Sequence, residues 1–409
     1  MTGFTFSARS YASRLHCAEG AIEASLRAEV QRLGAGRAFV VSSPSIASRT
    51  ATVSRVEQAL TDARAGTFAG IENDSTFASV EAATAAAREA GADLIVAVGG
   101  GSVIVAARAV DIFLSEAGRP FDLMTQYPEG GRAFSPRLNA PKLPVINIVT
   151  TPTSAMNRAG TGLKNPDLAH RMEYFDPKTR PASIIWDWAA LAATPFAVLR
   201  STATTTFIGA WSSILRDEPN PLVSADRQQA FRCARDAFAQ LPGRPDAIGP
   251  RLDLCAAAFL ANRAEDDHAG PLVRGQGPGG FSTGDYAVST AIHVRYPSVG
   301  QGEATSALLP ASIRRSPTAS PEFVRRGGEA LGCWRDGMSA AAGQEAIAQA
   351  LEELLRAMGM PTRVSELQFP RADIPAIAAE TARNFNANAG PRSEDERIAA
   401  SVALMEAAW

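Results

Sequence analysis

The 409-residue sequence predicts a two-part chain, an α/β domain with a Rossmann-like parallel sheet over 1–198 and an all-helical domain over 199–409. Short apolar runs alternating with helical patterns over the first 190 residues give the first part. The second follows from the loss of strand signals near Leu199, beyond which alanine-rich segments of 3.6 periodicity run to Trp409. An active site in the cleft between the two domains is expected, because ligands of open parallel sheets sit beyond the carboxyl ends of the strands.

The apolar run at Arg37–Val41 reads as a strand, 78–90 as a helix, Asp93–Val98 as a strand and 103–114 as a further apolar segment. Leu94–Val98 and Val145–Val149 are continuously apolar rather than alternating, the pattern of strands covered on both faces. The proline- and glycine-bearing stretch 117–141 reads as an insertion at the sheet's ligand-bearing end. In the second half, 226–240, 252–264 and 343–357 carry helical periodicity, and the glycine-rich 269–285 reads as a loop, either a lid or a connector.

Composition narrows the function. Forty basic and forty-two acidic side chains leave a net charge of −2, so no broad field would collect nucleic acid or an anionic membrane. The four cysteines, Cys17, Cys233, Cys255 and Cys333, lie far apart with no CxxC pair, which argues against a zinc knuckle or a disulfide framework. No run of about 18 apolar residues offers a membrane span, and the first residues lack a signal peptide's apolar core. A cytoplasmic protein is expected. Only three lysines occur, a bias to which composition assigns no function.

The segment Ala97-Val98-Gly99-Gly100-Gly101-Ser102-Val103 stands between a strand and a helix predicted over 102–116. Side-chain-free residues there let backbone N–H groups approach a diphosphate, and the helix start adds partial positive charge. The pattern is not a P-loop, since no Gly-Lys-Ser or Gly-Lys-Thr ends it. A plain strand-to-helix turn is the alternative.

Residues 91–103, the strand 144–151 with its Thr150-Thr151 pair, 180–187 with Leu191 to Pro195, 303–310, Gly359-Met360-Pro361 and 388–392 together resemble the iron-containing (group III) alcohol dehydrogenase superfamily. That superfamily includes the maleylacetate reductases. The resemblance runs along nearly the whole chain and implies the dehydroquinate synthase-like, iron-containing alcohol dehydrogenase-like fold, a nicotinamide cofactor and a homodimer. It assigns the cofactor to Ser43, Gly99, Gly100, Gly101, Ser102, Thr150, Thr151 and Ser154. After Val41 the chain has Ser42 and Ser43 where the family often carries an NAD-selecting aspartate, so NADP is permitted, with Arg49 as a nearby cation. Val105 and Arg108 stand where the family commonly has aspartate and lysine; maleylacetate reductases also lack that aspartate.

The resemblance also implies a divalent metal held by one aspartate and three histidines. The aligned positions carry Ile208, Ser212, Ser289 and Gln301, none a competent metal ligand of that set, and the chain has only four histidines. Asp266, Asp267 and His268 could supply ligands but read better as a solvated turn. His293 matches a family histidine near nicotinamide and substrate. The sequence therefore points to a metal-independent NAD(P)H-dependent reductase of a carbonyl or conjugated keto acid, with His293, Ser212, Ser289 and Gln301 polarising the substrate. The alternatives are a diverged lyase, hydrolase or isomerase using His293 as acid or base, and a non-catalytic protein with an apolar cleft filled by Phe207, Ile208 and Trp211.

Overall fold

The computed structural model describes residues 6, 8–128, 133–168, 170–215, 218, 220–266, 285–316, 319–382 and 393–409. They form two compact units, Tyr11–Pro195 and Phe196–Trp409, with the residues before Tyr11 grouped with the second. The first is built on strands β1 (Arg14–Ala18), β2 (Ala38–Ser42), β3 (Arg64–Phe68), β4 (Leu94–Gly99), β5 (Val145–Val149), β6 (Gly160–Leu163), β7 (Met172–Phe175) and β8 (Ser183–Asp187). Six make a parallel sheet in the order β1-β8-β5-β4-β2-β3, and β6 and β7 form a separate antiparallel hairpin. Among the described residues beyond Asp187 only helices and short 3-10 turns occur.

The apolar runs become the central strands because helices cover both faces of the sheet: every residue of β2, β4, β5 and β8 is buried. One face packs on helices Ala21–Arg32 and Thr52–Leu60 through Ile22, Leu26, Val30, Val56 and Leu60. The helix Gly101–Ser115 buries ten of its fifteen residues. It is apolar on most sides because the β6–β7 hairpin also lies on it, with Thr161 Oγ1 donating to Val105 O at 2.7 Å. The edge strands β1 and β3 and this hairpin escape the sequence reading, since they are short and largely solvent-facing or sidelong.

The stretch 117–141 departs from its expected position. At about 1.5 Å per residue the helix Gly101–Ser115 carries the chain some 22 Å back to the amino edge of the sheet. There Glu116 accepts from Ala140 N (2.9 Å) and Lys142 Nζ (2.7 Å), and Asp111 accepts from Leu143 N (2.9 Å). Both ends of the insertion are thus fixed opposite the ligand-bearing edge, while Thr125 N reaches Glu173 O on β7. Lys142 serves here as a compact three-donor hub, bonded also to Ala140 O and Asp176 in a position where its side chain is 1% exposed. Burial alone would lower its affinity for the proton, but the Glu116 and Asp176 carboxylates hold it charged and above the ordinary lysine range.

At the other end of the sheet Asp187 closes β8. Its carboxylate, fully buried, accepts from both terminal nitrogens of Arg55 (2.8 and 2.9 Å), from Ala190 N (3.0 Å) and from Ile22 N (3.3 Å). Burial would raise its pKa, yet these donors keep it below the ordinary aspartate value. The bonds cap the helix Trp188–Ala192 and tie two face helices to one strand end.

The helical unit has two cores. Phe207, Trp211, Phe231 and Phe238 centre the first, with the Phe207 and Phe238 rings stacked at 4.5 Å, and Ile292, Leu308, Ile377 and Met405 centre the second. Phe207 and Trp211, each 1% exposed, are core residues of one unit rather than fillers of a cleft. No described helix is long and apolar enough to cross a membrane. The expected loop 269–285 and the motif 388–392 lie outside the described residues, apart from Asp285 at the start of a helix.

Asp111 makes stability depend on pH. Burial raises its pKa to about 7, while Leu143 N and Lys142 oppose that rise. Because the folded value lies above the unfolded one, the contribution is fully present below pH 4 and fades as pH rises toward 7, by on the order of 4 kcal/mol. Glu29 acts in the opposite direction but only in acid: burial raises it, Arg32 and Ser183 more than offset this, and it sits at about 2. Thermal melts between pH 5 and 8 should therefore show the wild type losing stability with rising pH more steeply than Asp111→Asn, which keeps only the weaker slope of groups such as half-buried Glu173. Parallel slopes would assign the effect elsewhere.

Candidate functional site

The glycine loop is assembled where β4 and β5 finish. Their parallel register pairs Gly99 with Val149, and Thr150 N donates to Gly99 O at 3.1 Å, so the two following loops run side by side. A Cβ on Gly100 would lie 3.0 Å from Thr151 Oγ1, and one on Gly101 would lie 3.1 Å from Thr153 Oγ1. Gly100 has extended backbone (φ −87°, ψ −162°), so it is required for close approach and not for an unusual conformation.

The helix that starts at Gly101 is fifteen residues long with no acidic residue in its first turn, leaving its first N–H groups and positive dipole end for an anion. Thr151 is 4% exposed and its Oγ1, against Gly100, has no hydrogen-bond partner among the described residues. A buried hydroxyl without a partner is costly, and here it faces the loop that a diphosphate would enter. Residues and cofactor chemistry fit. Of the other expected positions, Thr150 is buried, with its carbonyl accepting from Thr194, and Ser154 is exposed on the same loop. Ser43 is the half-buried N-cap of the short helix Pro44–Arg49, its Oγ 3.1 Å from Ser45 Oγ, and Arg49 is exposed. Arg108 is buried inside the sheet unit with Nη1 on Arg158 O; burial, with Arg158 and Arg180 nearby, lowers its pKa to about 9.

Three residues beside this loop escape the sequence reading. Ser102 Oγ accepts from Asp74 N (3.0 Å) and Ser102 O accepts from Ser75 Oγ (2.7 Å). Asp74 and Ser75 both hold left-handed backbone (φ 65° and 53°), a strain that collects at functional loops. The Asp74 carboxylate pairs with Arg171 at the foot of β7, which brings a guanidinium to within two contacts of Ser102. Asn73-Asp74-Ser75 is legible as a turn, but its arginine partner is about a hundred residues away.

The second cluster lies in the helical unit, on helix Asp285–Arg295, the connection 296–300 and helix Gln301–Arg314. Ser289 is fully buried; its hydroxyl donates to Tyr286 O (3.0 Å) and accepts from Gln301 Nε2 (2.7 Å). Thr305 Oγ1, donating to Gln301 O, lies 3.2 Å from Ser289 Oγ. His293, one turn beyond Ser289, has Nδ1 2.6 Å from Val299 O. A carbonyl only accepts, so Nδ1 carries the proton and the lone pair of the neutral ring is on Nε2.

Two expected roles change. Ser289 cannot polarise a substrate, because its single hydroxyl proton is committed to Tyr286 O. Ser212 is not brought to Ser289 and Gln301: Ser201 Oγ accepts from Gly302 N at 3.1 Å, and Ser212 lies about 16 Å farther along the helix axis, bonded to Gly209 O. Nearer the start of this helix, Thr204 and Ile208 are buried, at 0% and 9% exposure. Neither residue is a metal ligand of the implied kind. Together with the mutually bonded Ser289 and Gln301, these neutral side chains do not fit a divalent cation. Among the described residues no group of three or more His, Cys, Asp or Glu could hold one; Asp267 and His268 lie outside them.

Comparison with known proteins places the chain. The model for "Iron-containing alcohol dehydrogenase" matches residues 12–188, and that for "Fe-containing alcohol dehydrogenase family, C-terminal" matches 281–408. The chain is 24% identical over 336 residues to 1,3-propanediol dehydrogenase of Klebsiella pneumoniae, covering 82% of this chain and 81% of the relative. It is 29% identical over 234 residues to maleylacetate reductase 2 of Cupriavidus pinatubonensis, covering 57% and 56%. A crystal structure of 1,3-propanediol oxidoreductase superposes with a TM-score of 0.80 at 20% identity over the full length of both chains.

Gly100→Ala tests the cradle directly. Its backbone suits alanine, so the fold should persist, while the methyl group displaces Thr151 and weakens NADH and NADPH binding at least tenfold in a fluorescence titration. Undiminished affinity for both would place the nucleotide elsewhere. With its two family segments in order and its parallel sheet ending in the glycine loop, the chain belongs to the iron-containing alcohol dehydrogenase family and is a nicotinamide-dependent oxidoreductase.

Proposed function

We propose that the protein is a metal-independent reductase that transfers hydride from NAD(P)H to a carbonyl compound, in particular a conjugated keto acid of the kind maleylacetate reductases take. The observation that carries the nucleotide part is the buried, unpartnered Thr151 hydroxyl set against Gly100 at the start of a long helix. Gly100, Gly101, Ser102 and Thr151 would hold the diphosphate, with Thr150 and Ser154 on the adjoining loop and Ser43 compatible with either NADH or NADPH. When bound, the nicotinamide supplies the hydride.

His293 supplies the proton. With Nδ1–H held by Val299 O, the imidazolium gives up its Nε2 proton to the carbonyl oxygen as negative charge develops there, leaving a neutral ring of fixed tautomer. No competent metal ligand stands at the aligned positions, so a conjugated or otherwise activated acceptor suits this site better than an unactivated one. Positioned donors supply only a few kcal/mol of transition-state stabilisation. The reading carries a small-molecule substrate, a homodimer in the cytoplasm, and no nucleic-acid or membrane partner.

His293→Asn should fold, bind NADH or NADPH with wild-type affinity and lose turnover by about 10²-fold or more. Turnover within a fewfold of wild type would remove His293 from the reaction. Metal analysis after dialysis should find no stoichiometric iron or zinc; one equivalent, with activity lost on chelation and restored on re-addition, would overturn metal independence. Failure of both nicotinamide cofactors to bind would overturn the reductase itself.

A further inference from the structure

The family resemblance puts two metal ligands at Ser289 and Gln301, on consecutive helices, and in this chain those two positions touch each other instead. The contact closes a ring of four links. Ser289 and His293 share one helix face, four residues apart. His293 Nδ1 reaches Val299 O, Val299 precedes Gln301 by two residues, and Gln301 Nε2 returns to Ser289 Oγ. Inside the ring, Tyr296 N on Ile292 O (2.8 Å) and Val299 N on Tyr296 O (2.9 Å) shape the connecting turn. Outside it, Thr305 Oγ1 lies against Ser289, and Gly302 N is fixed by Ser201.

We propose that Ser289 and Gln301 are positioning residues for His293, performing by one hydrogen bond the cross-linking of the two helices that a metal would perform at the same positions. The Gln301–Ser289 bond holds the start of helix Gln301–Arg314 against helix Asp285–Arg295. That fixes Val299 O, and Val299 O fixes the ring orientation and tautomer of His293. Without the bond the imidazole loses its fixed acceptor while both helices remain. The proposal rests on the reading of His293 as the proton donor, but it concerns how the ring is held and is tested without substrate.

The test is nitrogen-15 and proton NMR of the full chain with labelled histidine, the His293 signals being assigned by their absence in His293→Asn. In the wild type His293 should show the Nδ1–H tautomer and slow Nδ1–H exchange. Ser289→Ala and Gln301→Met should each speed that exchange at least tenfold and mix the tautomers, and the double variant should go no further than either single one. The signals of His16 and His170 should stay in place. Zinc chloride in tenfold excess should leave the wild-type His293 signals unmoved. Unchanged exchange in both single variants, additive effects in the double one, displacement of all histidine signals together, or a zinc-bound His293 spectrum would each overturn the proposal. A failure here leaves cofactor affinity untouched, whereas failure of the reductase reading appears as absent NADH and NADPH binding.

Discussion

The parallel pairing of β4 with β5 is the constraint on which the glycine loop depends. Register Gly99↔Val149 stops both strands at one level, so the Gly100 and Thr151 loops start in contact. A slip of one residue would exchange the side chains packed on the two faces and move the two loops out of level. The same register sets where the helix Gly101–Ser115 begins, and hence which N–H groups face the open end of the sheet. Asp74 and Ser75 are held in left-handed backbone by bonds to Ser102, so even the neighbouring turn takes its shape from this helix start.

Buried charge organises the rest of the sheet unit. Asp187 and Arg55 fasten the carboxyl end of β8 to two face helices, and Glu29, Arg32 and Ser183 fasten its amino end. At the amino edge, Lys142 and Lys178 converge on Asp176, and Lys142 also serves Glu116. Two of the three lysines of the chain are therefore spent in one network. An arginine's planar fork is poorly shaped for the three-way contact Lys142 makes, which explains a lysine in a chain that otherwise uses arginine. A compositional bias without evident function becomes structural in this place.

In the helical unit two of the positions where the resemblance implies metal ligands carry residues that bond each other. Ser289 and Gln301 bond directly, and Thr204 and Ile208 are buried on the helix Phe196–Ile214. All four side chains are neutral, unlike a cluster of carboxylates and imidazoles. His293 Nδ1 meets Val299 O beside this pair, which fixes one tautomer of its neutral ring.

The sequence by itself determined the fold class, the central strands and the glycine loop, because two-sided burial forces continuous apolar runs and a close backbone approach forces small residues. Val145–Val149 was legible to the residue, and the helix after Gly100 to within one. The family resemblance also drew attention to Gln301, Ser289 and His293. Tertiary structure alone decided what those residues do. Whether a hydroxyl donates to substrate or to its own helix, as Ser289 does, depends on which acceptor lies within 3 Å, and that is set by folding rather than by spacing. Arg171 on Asp74, about a hundred residues apart in the chain, left no local signal at all.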